Sequence, residues 1–104
     1  MSERQPRVLV LVENLSVPFD RRVWQECSAL VGAGYDVVVI CPMGIGRDTE
    51  PEVVLDGVRI LRYPLRAASA GPAGYVREYG TALWHTARLA LRVRREGRID
   101  AVHA

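Results

Sequence analysis

Two uninterrupted aliphatic runs, Val8-Leu9-Val10-Leu11-Val12 and Val37-Val38-Val39-Ile40, dominate this sequence, with a single amphipathic segment between them. Neither run alternates apolar with polar residues, so neither suits a strand with one wet face. Both read as strands covered on each side, the pattern of a parallel sheet between helix layers. The intervening segment supports this reading. Asp20 stands as an N-cap, and Val23, Trp24, Cys27, Leu30 and Val31 recur at helical spacing over Arg21 to Gly34, with Gly32 or Gly34 as the stop. Strand, helix and strand in that order make a βαβ unit, whose crossover is right-handed.

The rest of the chain extends the same architecture. Met43 to Pro51 carries turn formers and mixed charge and reads as a surface loop. Asp56-Gly57 between Val53–Leu55 and Val58–Tyr63 is a two-residue hairpin signal, and Val58 and Ile60 against Arg59 and Arg62 read as a half-exposed strand. Pro64 to Gly74 reads as a linker or active-site loop. From Tyr75 to Glu96, Val76, Tyr79, Leu83, Thr86, Ala90 and Val93 mark one apolar helix face, with Gly97 as terminator. Ile99, Ala101 and Val102 begin a last strand. The expected fold is α/β, a partial Rossmann-like parallel sheet flanked by helices with a short β-hairpin (β-α-β-β-β-α-β). The main strands are expected in the order three, two, one, four. In a complete domain a further helix and strand would follow Ala104, so residues 1–104 are expected to form an incomplete domain, and the uncovered last strand predicts a partner, a longer parent chain or poor solubility.

Composition narrows the chemistry. Fourteen basic and 12 acidic side chains leave a net charge of +2, too small a balance to argue for nucleic acid. Every basic residue other than histidine is Arg and none is Lys, which removes Schiff-base chemistry, a lysine general base and a phosphate-cradling lysine. Cys27 and Cys41 lack metal-ligand and C-x-x-C spacing and read as buried reduced thiols, so no metal site is expected. No signal-peptide pattern and no apolar stretch near the ~20 residues of a membrane span appear, which points to the cytoplasm.

In an open parallel sheet, ligands sit beyond the carboxyl ends of the strands, so the segments after Val12, Ile40, Tyr63 and Val102 are the places to search. The first, Glu13 to Trp24, has no glycine, which excludes a dinucleotide fingerprint and a Walker loop. It places two cations, Arg21 and Arg22, in the first helical turn, where the macrodipole disfavours them by ~0.3–1 kcal/mol each. Either they serve an anionic ligand together with free backbone N–H groups, or Asp20 shields them and Arg22 pairs with Glu26 one turn on. Asn14 and Ser16 offer neutral hydrogen bonds to sugar hydroxyls or satisfy their own backbone. His103 ends the last strand on the same edge, where an imidazole can hold a hydroxyl or act as a base. His85 reads as a boundary residue without chemistry, and Trp24 and Tyr79 as core. On the long helix Arg77, Arg88, Arg92 and Arg95 form a face that is either solvated or, with Trp84 at its margin, suited to peripheral contact with an anionic membrane at the inner face.

The order of these segments resembles a known family. V-P-F-D-R-R-V-W-Q-E-C-S-A-L-V-G-A-G-Y-D-V-V-V-I-C-P (Val17 to Pro42), L-D-G-V-R-I-L-R-Y-P (Leu55 to Pro64) and the terminal I-D-A-V-H-A are similar to the start of a family 4 retaining glycosyltransferase. The resemblance implies a GT-B enzyme of two Rossmann-like domains, of which this chain would be the first half of the amino-terminal, acceptor-side domain. It implies transfer of a sugar from a nucleotide-sugar donor to a glycan, lipid or small-molecule acceptor, with no bound cofactor and no metal. It also implies that the loop carrying Asn14, Ser16, Asp20, Arg21 and Arg22 lines the cleft and that His103 meets sugar. The family's donor-site glutamates and diphosphate-holding basic residue have no counterpart in this chain, so the chain alone is expected to be inactive.

Two other readings compete with it. Val8 to Asn14 is similar to the opening of a two-component receiver domain, but Asn14 stands where a second acid is needed, Tyr63-Pro64 ends strand three without an aspartate, and lysine is absent. The remaining alternative is a small non-enzymatic α/β binding module whose Arg-rich helix meets anionic lipid or an acidic partner.

Overall fold

The computed structural model describes residues 5–13, 15–44, 46–64 and 72–103, with side chains from Gly80 onward in the last stretch. The elements are β1 (Arg7–Leu11), α1 (Arg21–Gly32), β2 (Asp36–Pro42), β3 (Glu52–Leu55), β4 (Val58–Tyr63), α2 (Pro72–Glu96) and β5 (Ala101–His103). They form an α/β fold with one five-stranded sheet in the order β3-β4-β2-β1-β5. β4, β2, β1 and β5 run parallel, and only the short β3 is antiparallel, on β4. The main strands thus stand in the expected order, as a partial Rossmann-like sheet.

The aliphatic runs become central strands because both faces are covered. Val8, Val10, Val37, Val39, Cys41, Val58 and Ile60 form one core with Cys27 of α1, onto which Val23, Trp24, Leu30 and Val31 pack. The alternate residues Leu9, Val38, Ile40, Leu61 and Tyr63 form a second core with Leu89 and Val93 of α2. The period-two pleat therefore sends successive side chains of each strand to different helices. The two crossovers traverse the sheet in opposite directions. With both right-handed, one helix lies on each face.

Local signals set the element ends. The Val23 backbone N–H donates to Asp20 Oδ1 at 3.3 Å, so Asp20 is the N-cap of α1. At the other end Tyr35 N–H donates to Leu30 O and Gly34 N–H to Val31 O, each at 3.0 Å, while Gly34 takes φ 95°. This is a Schellman stop, and it ends α1 at Gly32. Asp56 and Gly57, with φ 48° and 83°, make the two-residue turn that joins β3 to β4.

Three expectations need correction. The last helix begins at Pro72 rather than Tyr75, since proline suits the first helical turn. Its buried face matches the expected one only in part: Val93 is buried and Ala90 packs on the same core, whereas Leu83 is 51% exposed and Leu89, outside the expected stripe, is buried. Several stripes of α2 are apolar enough to serve, and the position of the helix on the sheet selects among them. Finally, β4 is not half-exposed, because Arg62 is itself buried beneath the loops after β1 and β2. The expected core role of Val76 and Tyr79 concerns side chains outside the described residues.

Candidate functional site

The parallel register sets Val10 opposite His103 and Leu11 opposite Ile40, so the carboxyl ends of β1 and β5 lie side by side. α1 starts beside that edge. Between them opens a groove of about 550 Å³ whose polar walls are Glu13, Asp20, Arg22, Glu26 and His103, over a floor that includes Val12 and Val23. Asp20, Arg22 and His103 are thus brought together as candidate site residues. Arg21 is exposed and lies outside the lining. Asn14 lies outside the described residues.

Charge within the groove is arranged around α1. Arg22 Nε is 3.8 Å from Glu26 Oε1, the pairing one turn along the helix that offsets its unfavourable place near the N-terminus. His103 Nε2 is 3.7 Å from the other oxygen of the same carboxylate. Glu26 therefore stands between a guanidinium and an imidazole. Three carboxylates face one permanent cation along this wall, so a strongly anionic ligand gains less here than the tandem arginines suggest. Carboxylate acceptors, a forked donor and an imidazole suit a ligand rich in hydroxyl groups.

The rim loop is held by a buried clasp that involves Ser16. Its hydroxyl donates to Asp48 Oδ2 at 2.8 Å, and the Phe19 N–H reaches the same oxygen at 3.2 Å. Ser16 is 4% exposed, so its hydroxyl is committed to the scaffold rather than offered to the groove. Arg62 donates from Nε and Nη2 to the Val17 carbonyl, at 3.2 and 2.7 Å, and from Nη1 to the Glu50 carbonyl at 3.0 Å. Asp48 Oδ1 lies 3.7 Å from Nη2. Arg47 adds a guanidinium 4.8 Å above the Phe19 ring. Arg62 and Asp48 thus position the loop that carries Asp20 and Arg22. Sequence reasoning overlooked both as site residues; the one available signal was that Arg62, unlike Arg59, breaks the alternation of apolar and polar positions along β4.

Other titratable groups lie away from the groove's chemistry. Burial pushes the thiols of Cys27 and Cys41 up to about 11, so both stay protonated and inert at neutral pH. Tyr63 is also pushed up by burial, an effect that a hydrogen bond with Thr86 opposes. Its ring stacks on His85 with centroids 5.9 Å apart, so His85 is a packing residue of the α2 interface. Among the described residues, no group of three or more His, Cys, Asp or Glu is disposed to hold a metal ion. No helix among them is long and apolar enough to cross a membrane.

Fold and groove together define an α/β, partial Rossmann-like unit with a polar crevice at the carboxyl rim of its parallel sheet. No protein family, curated protein or solved structure that was compared matches the chain.

Proposed function

We propose that this chain supplies the acceptor-side wall of a retaining glycosyltransferase, with a nucleotide-sugar as donor substrate held by a second domain outside these residues. A glycan, lipid-linked sugar or small molecule would present its hydroxyls to the groove. The observation that carries the reading is the groove itself, where Arg22, Glu26 and His103 converge at the rim of β1 and β5. That rim is the general ligand position of open α/β sheets. In this reading Glu26 and His103 accept hydrogen bonds from acceptor hydroxyls, Arg22 donates one, and Asp20 holds the helix terminus that aligns them. Among the described residues that line the groove none supplies a diphosphate clamp, so in this reading the chain by itself binds acceptor and the donor is held elsewhere.

The test is a titration of the 104-residue chain, followed by amide chemical shifts, with neutral sugars, sugar phosphates and nucleotide-sugars in parallel. Neutral sugars are expected to move the amides of Val12, Glu13, Arg22, Val23, Glu26 and His103. Glu26→Gln combined with His103→Ala should remove the response. Absence of any sugar-dependent shift at this rim, or shifts confined to another surface, overturns the assignment.

A further inference from the structure

The outer face of α2 has no role in the groove, since α2 covers the opposite side of the sheet from α1. At about 100° per residue, Trp84, Arg88, Leu91 and Arg95 fall on one narrow stripe, diametrically across the helix from the buried pair Leu89 and Val93. The two apolar members are unusually bare: Trp84 is 66% and Leu91 58% exposed, and Leu83 on the flank is 51% exposed. Trp84 and Leu91 edge a furrow of about 420 Å³ that Arg88, Arg92 and Arg95 also line.

Charge on this face is one-sided. Glu96 is neutralised by Arg59, whose Nη2 donates to Glu96 Oε2 at 3.1 Å, and Arg92 is engaged by Glu52 at 2.7 Å. Arg88, Arg94 and Arg95 have no anionic partner among the described residues. A convex helix that interleaves an indole and a leucine with unpaired guanidinia matches a plane that is apolar inside and anionic at its surface. The apolar side chains can enter the headgroup boundary while the arginine stems snorkel toward phosphate. A folded acidic partner would meet the same cations but would need a complementary pocket for Trp84, whereas a bilayer deforms around it.

We infer that this face of α2 docks the protein peripherally on anionic phospholipid, with Trp84 and Leu91 inserted and Arg88 and Arg95 on the headgroup phosphates. The inference is independent of the sugar-site reading, because none of its residues lines the groove.

The experiment is co-sedimentation of the full chain with vesicles of phosphatidylcholine, alone or in equimolar mixture with phosphatidylglycerol. Inorganic phosphate and a soluble acidic polypeptide serve as competitors. Binding is expected only to the anionic vesicles and to weaken with salt, as the surface potential is screened. Arg88→Gln and Arg95→Gln should each lower the partition coefficient about fivefold. Trp84→Ser should reduce it further, and the indole emission of wild type should shift to the blue on binding while that of Trp84→Ser does not. These side chains are exposed, so unchanged circular dichroism is expected and separates lost docking from lost fold. The inference is overturned by equal binding to neutral vesicles, by binding that the variants leave unaltered, or by no vesicle binding at low salt. It is overturned too if the acidic polypeptide alone binds this face.

Discussion

The guanidinium of Arg62, on β4, donates two hydrogen bonds to the carbonyl of Val17, forty-five positions earlier, and so ties the rim loop to the sheet. A cation that is 6% exposed is tolerated here because two backbone carbonyls and the nearby Asp48 carboxylate compensate its desolvation. Arg62→Leu is expected to cost about 3 kcal/mol by stranding those acceptors. Arg62→Lys should recover less than half, since a point charge cannot fork across Val17 and Glu50 together. Urea unfolding midpoints decide the matter, and a loss under about 1 kcal/mol for Arg62→Leu would show that the clasp is incidental.

Two glycines separate crowding from helix propensity. At Gly44 an added Cβ would lie 2.5 Å from the Arg47 carbonyl oxygen and 2.8 Å from Ser16 Oγ, so Gly44→Ala must displace the Ser16–Asp48 hydrogen bond. We expect it to cost about 1–3 kcal/mol and to shift amides as far as Asp20. Gly32, in the last turn of α1, has nothing within 4 Å of the added methyl. Gly32→Ala should stabilise by about 0.5–1 kcal/mol through helix propensity. Thermal melts of the two variants should therefore move in opposite directions.

Alkaline stability follows from the thiols. In the fold, Cys27 and Cys41 lose protons near pH 11, against 9.0 for an ordinary cysteine, chiefly through burial. A raised folded value favours the protonated thiol. Its contribution is complete below pH 9 and declines as the pH rises toward 11. Unfolding free energy should fall across that window and fall less in Cys27→Ala and Cys41→Ala. Neither thiol should react with a disulfide reagent at pH 8 until denaturant is added. Rapid labelling of the folded chain would contradict the burial.

Acid stability rests partly on the network that joins β3, β4 and α2. The hydrogen bond from Arg92 is the main reason the Glu52 carboxyl lies below its ordinary value of 4.5, and that from Arg59 does the same for Glu96. Depressed carboxyls stabilise above their unfolded value, and the contribution is lost as pH falls below about 4.5. Both carboxylates are more than a third exposed, so solvent screening limits the effect to under about 1 kcal/mol in total. Glu52→Gln/Glu96→Gln should flatten the acid limb of a stability-against-pH curve and leave neutral stability within that margin. An acid limb as steep as wild type would remove the network from the account.

Much of the architecture was legible locally. The runs at Val8–Val12 and Val37–Ile40, the cap at Asp20 and the turn at Asp56-Gly57 each describe a conformation that neighbouring residues can specify alone. From them came the parallel sheet, its strand order and the rim where Asp20, Arg22 and His103 meet. The apolar face of α2 was only half legible, because Leu83 and Leu89 are chemically identical and periodicity cannot choose between them.

Periodicities, caps and turns are set locally, since they depend on backbone sterics and hydrogen bonds spanning a few residues. Only the closure of distant segments put Arg62 inside and left Trp84 bare, tied Ser16 to Asp48, and brought His103 to the Arg22–Glu26 pair that helical spacing had already indicated. The reason is physical: desolvation and charge pairing depend on which distant segments close over a side chain, and no local pattern carries that information.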